Sequence, residues 1–268
     1  GTKQWTENLS AKVADLRQLL TSLPNVSSAD RANLDRLFEV VTALVKCSGL
    51  EDVSAVGASG VQVGPGMYLN KFMAYHAAGK KEGLLWSLFG KEPHALAGLD
   101  YLPDTTALAT FTDLDAAQLW TTLKEQVDKA GIPELSRGLE EFTKGMERGT
   151  GIKLDKLLES LGGEIGFILT LDNSKTITLP MPNAGKLEMP EPALALMIKV
   201  KDDTIFNRFD QVMQMNRQLV KTDKDGLKMR SMPVPAPFPL RPTVARSGDY
   251  LFLATSDKLV NELVATKE

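Results

Sequence analysis

The sequence predicts an α+β protein: an antiparallel-rich sheet covered by helices, built from repeated strand–cap–helix units behind an N-terminal helical hairpin. Two observations predict it. Three times a short apolar strand runs into an acidic helix cap and then an amphipathic helix: Ala107–Phe111 into Asp113-Leu114-Asp115 and 116–127; Ala193–Val200 into Asp202-Asp203 and 204–219; Tyr250–Ala254 into Ser256-Asp257 and 258–264. Between these units, period-two stretches bounded by Gly, Pro, Asn and Asp read as antiparallel strands. The expected boundaries are 1–49 for the hairpin and 50–268 for an α+β domain with helices on one sheet face.

The hairpin comes first. Trp5, Leu9, Val13, Leu16, Leu20 and Leu23 recur at spacings of three and four, so they share one helix face. Pro24-Asn25 breaks that run. Ser27 or Ser28 caps a second helix striped by Leu34, Leu37, Phe38, Val41, Leu44 and Val45, and Ser48-Gly49 closes it. The stripes read as core packing, with a partner-binding coiled coil as the sharper alternative; the heptads are few for that. From Glu51 to His76 the pattern alternates around a turn at Gly64-Pro65-Gly66, and Gly79–Gly83 marks another turn before the apolar patch Leu84–Gly90.

After the first strand–cap–helix unit, helices are expected over 134–147 and 153–160, stopped at Gly162-Gly163. Glu164–Leu171, a turn at Asp172–Lys175 and Thr176–Leu179 read as a hairpin. A Pro-rich loop runs from Pro180 to Pro192. Asp223–Gly226 turns into a strand at 227–232, and a second Pro-rich loop covers Pro233–Pro239. Ser247-Gly248-Asp249 joins strands at 243–246 and 250–254.

Composition narrows the function. Of 268 residues, 43% are hydrophobic and 24% charged, as in a folded protein. A net charge of -3 gives no basic field for nucleic acid or anionic lipid. Cys47 is the sole cysteine, which rules out an intrachain disulfide and a cysteine zinc cluster. No apolar run approaches the roughly 20 residues that span a bilayer. The chain opens Gly1-Thr2-Lys3-Gln4 and its last helix meets Glu268 without a terminator. The expectation is a natural chain that extends further, behind a removed signal or anchor segment or any other truncation.

The chemistry-bearing residues each have a structural reading. Asp113 with Asp115, and Asp202 with Asp203, resemble metal ligands or an acid–base pair, but each stands where a helix must begin, so capping is the stronger reading. His76 and His94 are the only histidines and have no ligand-spaced partner. Cys47 reads as a buried small hydrophobe. The glycines from Gly57 to Gly66 lack the lysine of a phosphate loop and mark bulges and turns. Asn25-Val26-Ser27 matches a glycosylation sequon, and Pro233–Pro237 reads as a stiff connector or a polyproline ribbon. Met67, Met73, Met213 and Met215 read as core filling or as the lining of an adaptable pocket. No residue is assigned a catalytic, cofactor-binding or metal role.

Three segments carry a resemblance: Leu99–Asp115 with Leu102-Pro103-Asp104-Thr105, Leu158–Phe167 with Leu161-Gly162-Gly163-Glu164, and the ending Ser247–Ser256 before a helix. Over 99–268 the chain resembles an uncharacterised bacterial family, a domain of unknown function in envelope-associated, often signal-bearing proteins. The resemblance implies an extracytoplasmic location (periplasmic or cell-surface) and supplies no functional residues. The expected function is a non-enzymatic binding or scaffold protein with an envelope partner. The alternative is a carrier of an apolar ligand between sheet and helices, lined by Phe72, Trp86, Phe89, Trp120 and Phe167. A hydrolase has the least support.

Overall fold

A computed structural model describes residues 2–22, 27–76, 84–88, 94–181, 185–235 and 240–267. The protein is α+β, and its chain divides into two compact units, Gly1–Lys91 with Ala117–Phe142, and Glu92–Ala116 with Thr143–Glu268.

The first unit holds α1 (Thr2–Thr21), α2 (Ser28–Ser48), β1 (Val53–Gly64), β2 (Met67–His76) and α3 (Leu84–Leu88). It also takes nearly all of α4 (Ala116–Ala130) and the start of α5 (Pro133–Thr150). Ser27 caps α2, its hydroxyl accepting the Asp30 N–H at 3.1 Å. Gly49 ends the helix at φ 77°, a left-handed conformation that suits glycine. The Gly49 carbonyl accepts the Trp86 indole N–H at 3.1 Å, which ties α3 to the end of α2. Arg17 pairs with Asp35 at 2.7 Å between α1 and α2. Phe38 is buried here, while Leu16, Leu37 and Val41 of the expected stripes stay exposed. β1 and β2 form a two-stranded antiparallel ribbon.

The second unit is a seven-stranded antiparallel sheet in the order β3-β4-β5-β9-β8-β7-β6. Its strands are β3 (Thr106–Asp113), β4 (Leu161–Met181), β5 (Gly185–Val200), β6 (Val220–Lys224), β7 (Leu227–Ser231), β8 (Thr243–Ser247) and β9 (Tyr250–Ala254). Its helices are the end of α5, α6 (Leu154–Ser160), α7 (Thr204–Met213) and α8 (Asp257–Lys267). Successive strand residues face opposite sides. Tyr250, Phe252 and Ala254 therefore join Ala195, Met197 and Ala245 in a core with Tyr101 and with Leu259, Val260 and Leu263 of α8. Leu251 joins Val200 and Val244 in a second core with Ile205, Phe206 and Met213 of α7. Helices thus cover both faces, not one. The unbroken apolar run Tyr250–Ala254 is what a strand buried on both sides requires.

Several expectations need correction. The Asp172–Lys175 segment is not a hairpin turn. The Asp172 carboxylate accepts from the Ser174 N–H and from Lys175, but the register only shifts there, as a bulge, and β4 runs on to Met181. Pro190 and Pro192 of the expected Pro-rich loop lie in β5, opposite Thr176 and Leu171 around that bulge. Asp223 and Lys224 of the expected turn end a strand, β6, that pairs with β7. The expected 204–219 helix stops at Met213. Nor do the first two strand–cap–helix units repeat one packed element. α4 lies in the first unit and β3 in the second. Phe142 of α5 takes the Trp120 ring at 5.8 Å, and on α4 Val127 is buried while Leu119 is 40% exposed. On α7 Ile205 and Met213 are buried together with Phe206, which lies under the Arg230 guanidinium at 5.3 Å, while Phe209 and Val212 lie exposed. The Gly79–Gly83 turn, Phe89, the first two residues of the sequon, Ala236–Pro239 and the side chains of Trp5, Leu9, Cys47, Met67 and His76 lie outside the described residues.

Candidate functional site

The face of the sheet beneath α7 is wider than the helix. α7 presents only ten residues to it, and Ile205, Phe206 and Met213 are the ones it buries. Beyond the helix the same face continues as an open apolar trough of about 580 Å³. Phe167 of β4, Leu194 and Leu196 of β5 and Leu253 of β9 form its floor, and Phe209 and Met213 of α7 form a wall. Leu194 and Phe209 remain partly in solvent, at 39% and 37%. Thr243 and Thr255 bring the hydroxyls, and both are engaged: Thr243 donates to the Arg241 carbonyl at 2.7 Å, and Thr255 accepts the Leu194 N–H at 2.9 Å. The trough therefore offers contact area and no polar anchor. Its volume and lining are those of a small-molecule site. A second groove, in the first unit, measures about 450 Å³ and mixes Leu34, Leu37 and Leu135 with the carboxylates of Asp30 and Glu134.

Of the five aromatic residues expected to line a carrier pocket, Phe167 lines the trough. Phe72, Trp86 and Trp120 belong to the first unit, so these residues do not form one pocket within either unit. Met213 is in the trough wall, while Met73 and Met215 are exposed.

The opposite face carries a polar cluster. His94 Nε2 lies 3.0 Å from Asp113 Oδ2, so Asp113 is an ion-pair partner and His94 has the carboxylate that sequence spacing denied it. The ring's other nitrogen, Nδ1, lies 2.9 Å from the Ala95 carbonyl. That carbonyl, and then the Asp113 charge, raise the His94 pKa above its ordinary value. Both ring nitrogens face acceptors, an arrangement that favours the protonated ring. Asp113 pairs across the sheet with Glu164, which is 2% exposed. Glu164 Oε1 accepts the Gly98 N–H at 2.8 Å. Only glycine fits at 98, because a Cβ would stand 2.2 Å from the Phe111 ring. Glu164 Oε2 and the Tyr250 hydroxyl are buried with no hydrogen-bond partner. Burial first, then the Glu164 carboxylate, push the Tyr250 hydroxyl well above the usual range, although no hydrogen bond of ordinary geometry joins the two. Tyr101 packs edge-on against Tyr250, its hydroxyl bound by Lys267 at 3.1 Å.

The remaining candidates are structural. Asp202 is the residue at the start of α7 that binds backbone: Oδ1 accepts from the Thr204 N–H and the Ser160 hydroxyl. Asp203 makes no cap bond and pairs instead with Lys228 and Arg246. Asp115 stands directly before α4. Among the described residues, no group of three or more His, Cys, Asp or Glu is placed to hold a metal ion. Gly66, at φ 71°, makes the β1–β2 turn. Sequence reasoning missed Arg230, which is buried and bonds Asp210 and Asp223 at 2.7 Å each. Glu164 has a visible signal in the sequence: it is the lone acid in the apolar stretch Gly162–Leu171.

Fold and site define a class: an α+β protein whose helix-flanked antiparallel sheet leaves an apolar trough on one face. The family is narrower. Residues 79–266 match the family described as Protein of unknown function (DUF3352), and the chain belongs to it. The match begins before the resembling region at Leu99, and α1, α2 and the β1–β2 ribbon fall outside it. The chain matches no curated protein and no solved structure.

Proposed function

We propose that this is a non-enzymatic, extracytoplasmic binding protein that holds an aliphatic ligand in the trough between the sheet and α7. The trough carries this reading: a partly exposed sheet face of about 580 Å³ whose only hydroxyl groups are already bonded within the protein. Apolar burial is then the available source of affinity, at roughly 25 cal/mol per Å² removed from water. The non-enzymatic part is supported by the acceptors facing both His94 nitrogens, which favour the protonated ring. The extracytoplasmic location is supported by the family resemblance. A scaffold role is the second reading, favoured by the exposed apolar ribbon of β1 and β2.

The test is titration with N-phenyl-1-naphthylamine, a neutral apolar dye. Saturable fluorescence enhancement is expected, and Leu194→Asp or Phe209→Asp should each weaken it about tenfold or more. Both side chains reach solvent, so the variants should fold, which circular dichroism checks. Absence of saturable binding, or binding indifferent to both substitutions, overturns the reading. Ester, phosphate, peptide and glycoside substrates should stay at background; turnover abolished by His94→Ala would overturn the non-enzymatic assignment.

A further inference from the structure

Every described side chain of the β1–β2 ribbon from Ala58 to Val63 and from Tyr68 to Tyr75 is exposed. Among them Phe72 is 73% exposed, and Tyr68, Val61 and Tyr75 are also largely in solvent. The register puts Val61, Leu69, Met73 and Tyr75 on one face and Val56, Tyr68 and Phe72 on the other. Among the described residues, no third strand pairs with either edge. A two-stranded ribbon is marginal in water by itself and needs further strands or a packed helix; α1 contacts β1, yet the side chains from Ala58 to Val63 stay exposed.

The two edges differ. β2 carries Lys71, an edge charge of the kind that blocks strand addition. β1 spans twelve residues with no charge and no proline. Its centre, Gly57-Ala58-Ser59-Gly60, puts nothing bulky in the way of an approaching backbone. The contrast with β6 is sharp, because that edge of the seven-stranded sheet is five residues long and carries Lys221, Asp223 and Lys224.

We propose that β1 is a self-association edge. Two copies of this chain pair their β1 strands antiparallel about a two-fold axis normal to the ribbon, giving a four-stranded sheet in the order β2-β1-β1-β2. A second copy is the occupant that the charges favour. β1 meets β1 with no like charges opposed, whereas pairing through β2 brings Lys71 toward its own copy. A two-fold normal to the sheet keeps each face on its own side, so the two apolar faces each continue into the partner's. Four strands with continuous apolar faces are more stable than the two-stranded ribbon.

Sedimentation equilibrium of the purified chain tests this. The expected mass is twice 29.2 kDa. Ala58→Lys, a charge on the β1 edge, should weaken dimerisation about a hundredfold with an unchanged far-ultraviolet spectrum. Asn70→Lys puts the same charge on β2 and should leave the dimer intact. A chain that stays monomeric at every accessible concentration overturns the proposal. So does an Ala58→Lys dimer of undiminished affinity, or a dimer lost equally in Asn70→Lys. Dye binding in the trough is a separate measurement, so either reading can fail alone.

Discussion

Asp202 and Asp203 are neighbours with different work, and substitution separates them. Asp202→Ala removes a carboxylate that holds the Thr204 N–H and the Ser160 hydroxyl, and is expected to cost about 1–2 kcal/mol in urea unfolding. Asp203→Ala breaks pairs with Lys228 and Arg246 at the rim and should cost less, about 0–1 kcal/mol. Acid stability follows from the same kind of bond. The Thr204 N–H lowers the Asp202 pKa, and Arg230 lowers those of Asp210 and Asp223. A lowered folded value means stability present above the unfolded pKa, about 4, and lost as pH falls through the folded values. Asp210→Asn should therefore flatten the decline in stability measured below pH about 4. His94 has the opposite sign. Its raised pKa gives stability present below about 6.5 and lost as pH rises through the folded value. In an NMR titration His94 should titrate above 6.5, and Asp113→Asn should bring it down.

At the scale of elements, α7 provides the sharpest check. Phe206→Ala removes a ring buried against the sheet and under Arg230, and should cost about 3–5 kcal/mol; Val212→Ala, on the exposed side, should cost under about 1 kcal/mol. Thermal or denaturant unfolding distinguishes the two. The helix was legible from its periodicity and its buried side in half: Ile205 and Met213 of the stripe Ile205, Phe209, Val212 and Met213 are buried, but the sheet takes Phe206 in place of Phe209 and Val212. Asp172, Asn173, Ser174 and Lys175 have the chemistry of a reverse turn, and a bulge uses that chemistry without reversing the chain. The five residues of β6, three of them charged, carried too little apolar signal to register as a strand. The double burial of β9, by contrast, is legible in the unbroken apolar run Tyr250–Ala254.

At the scale of the molecule, the order of elements was readable and the trough was not. Its floor joins Phe167, Leu194 and Leu253, residues far apart in sequence that meet because β9 inserts beside β5. Nothing local in the chain announces that strand order. If the trough takes a ligand, saturation at about 100 times Kd should add about 2.7 kcal/mol to the stability of the seven-stranded unit, read as a rise in its melting temperature.

The path of the chain between its two units has a practical outcome. The backbone passes from one unit to the other after Lys91, after Ala116 and after Phe142, and the last passage lies within α5. A protease that nicks one link leaves the halves still joined by the other two. A gene fragment beginning at Glu92 would carry Trp120 and Phe142 away from α1 and α2, so truncation is expected to yield an orphaned helical segment rather than a clean module.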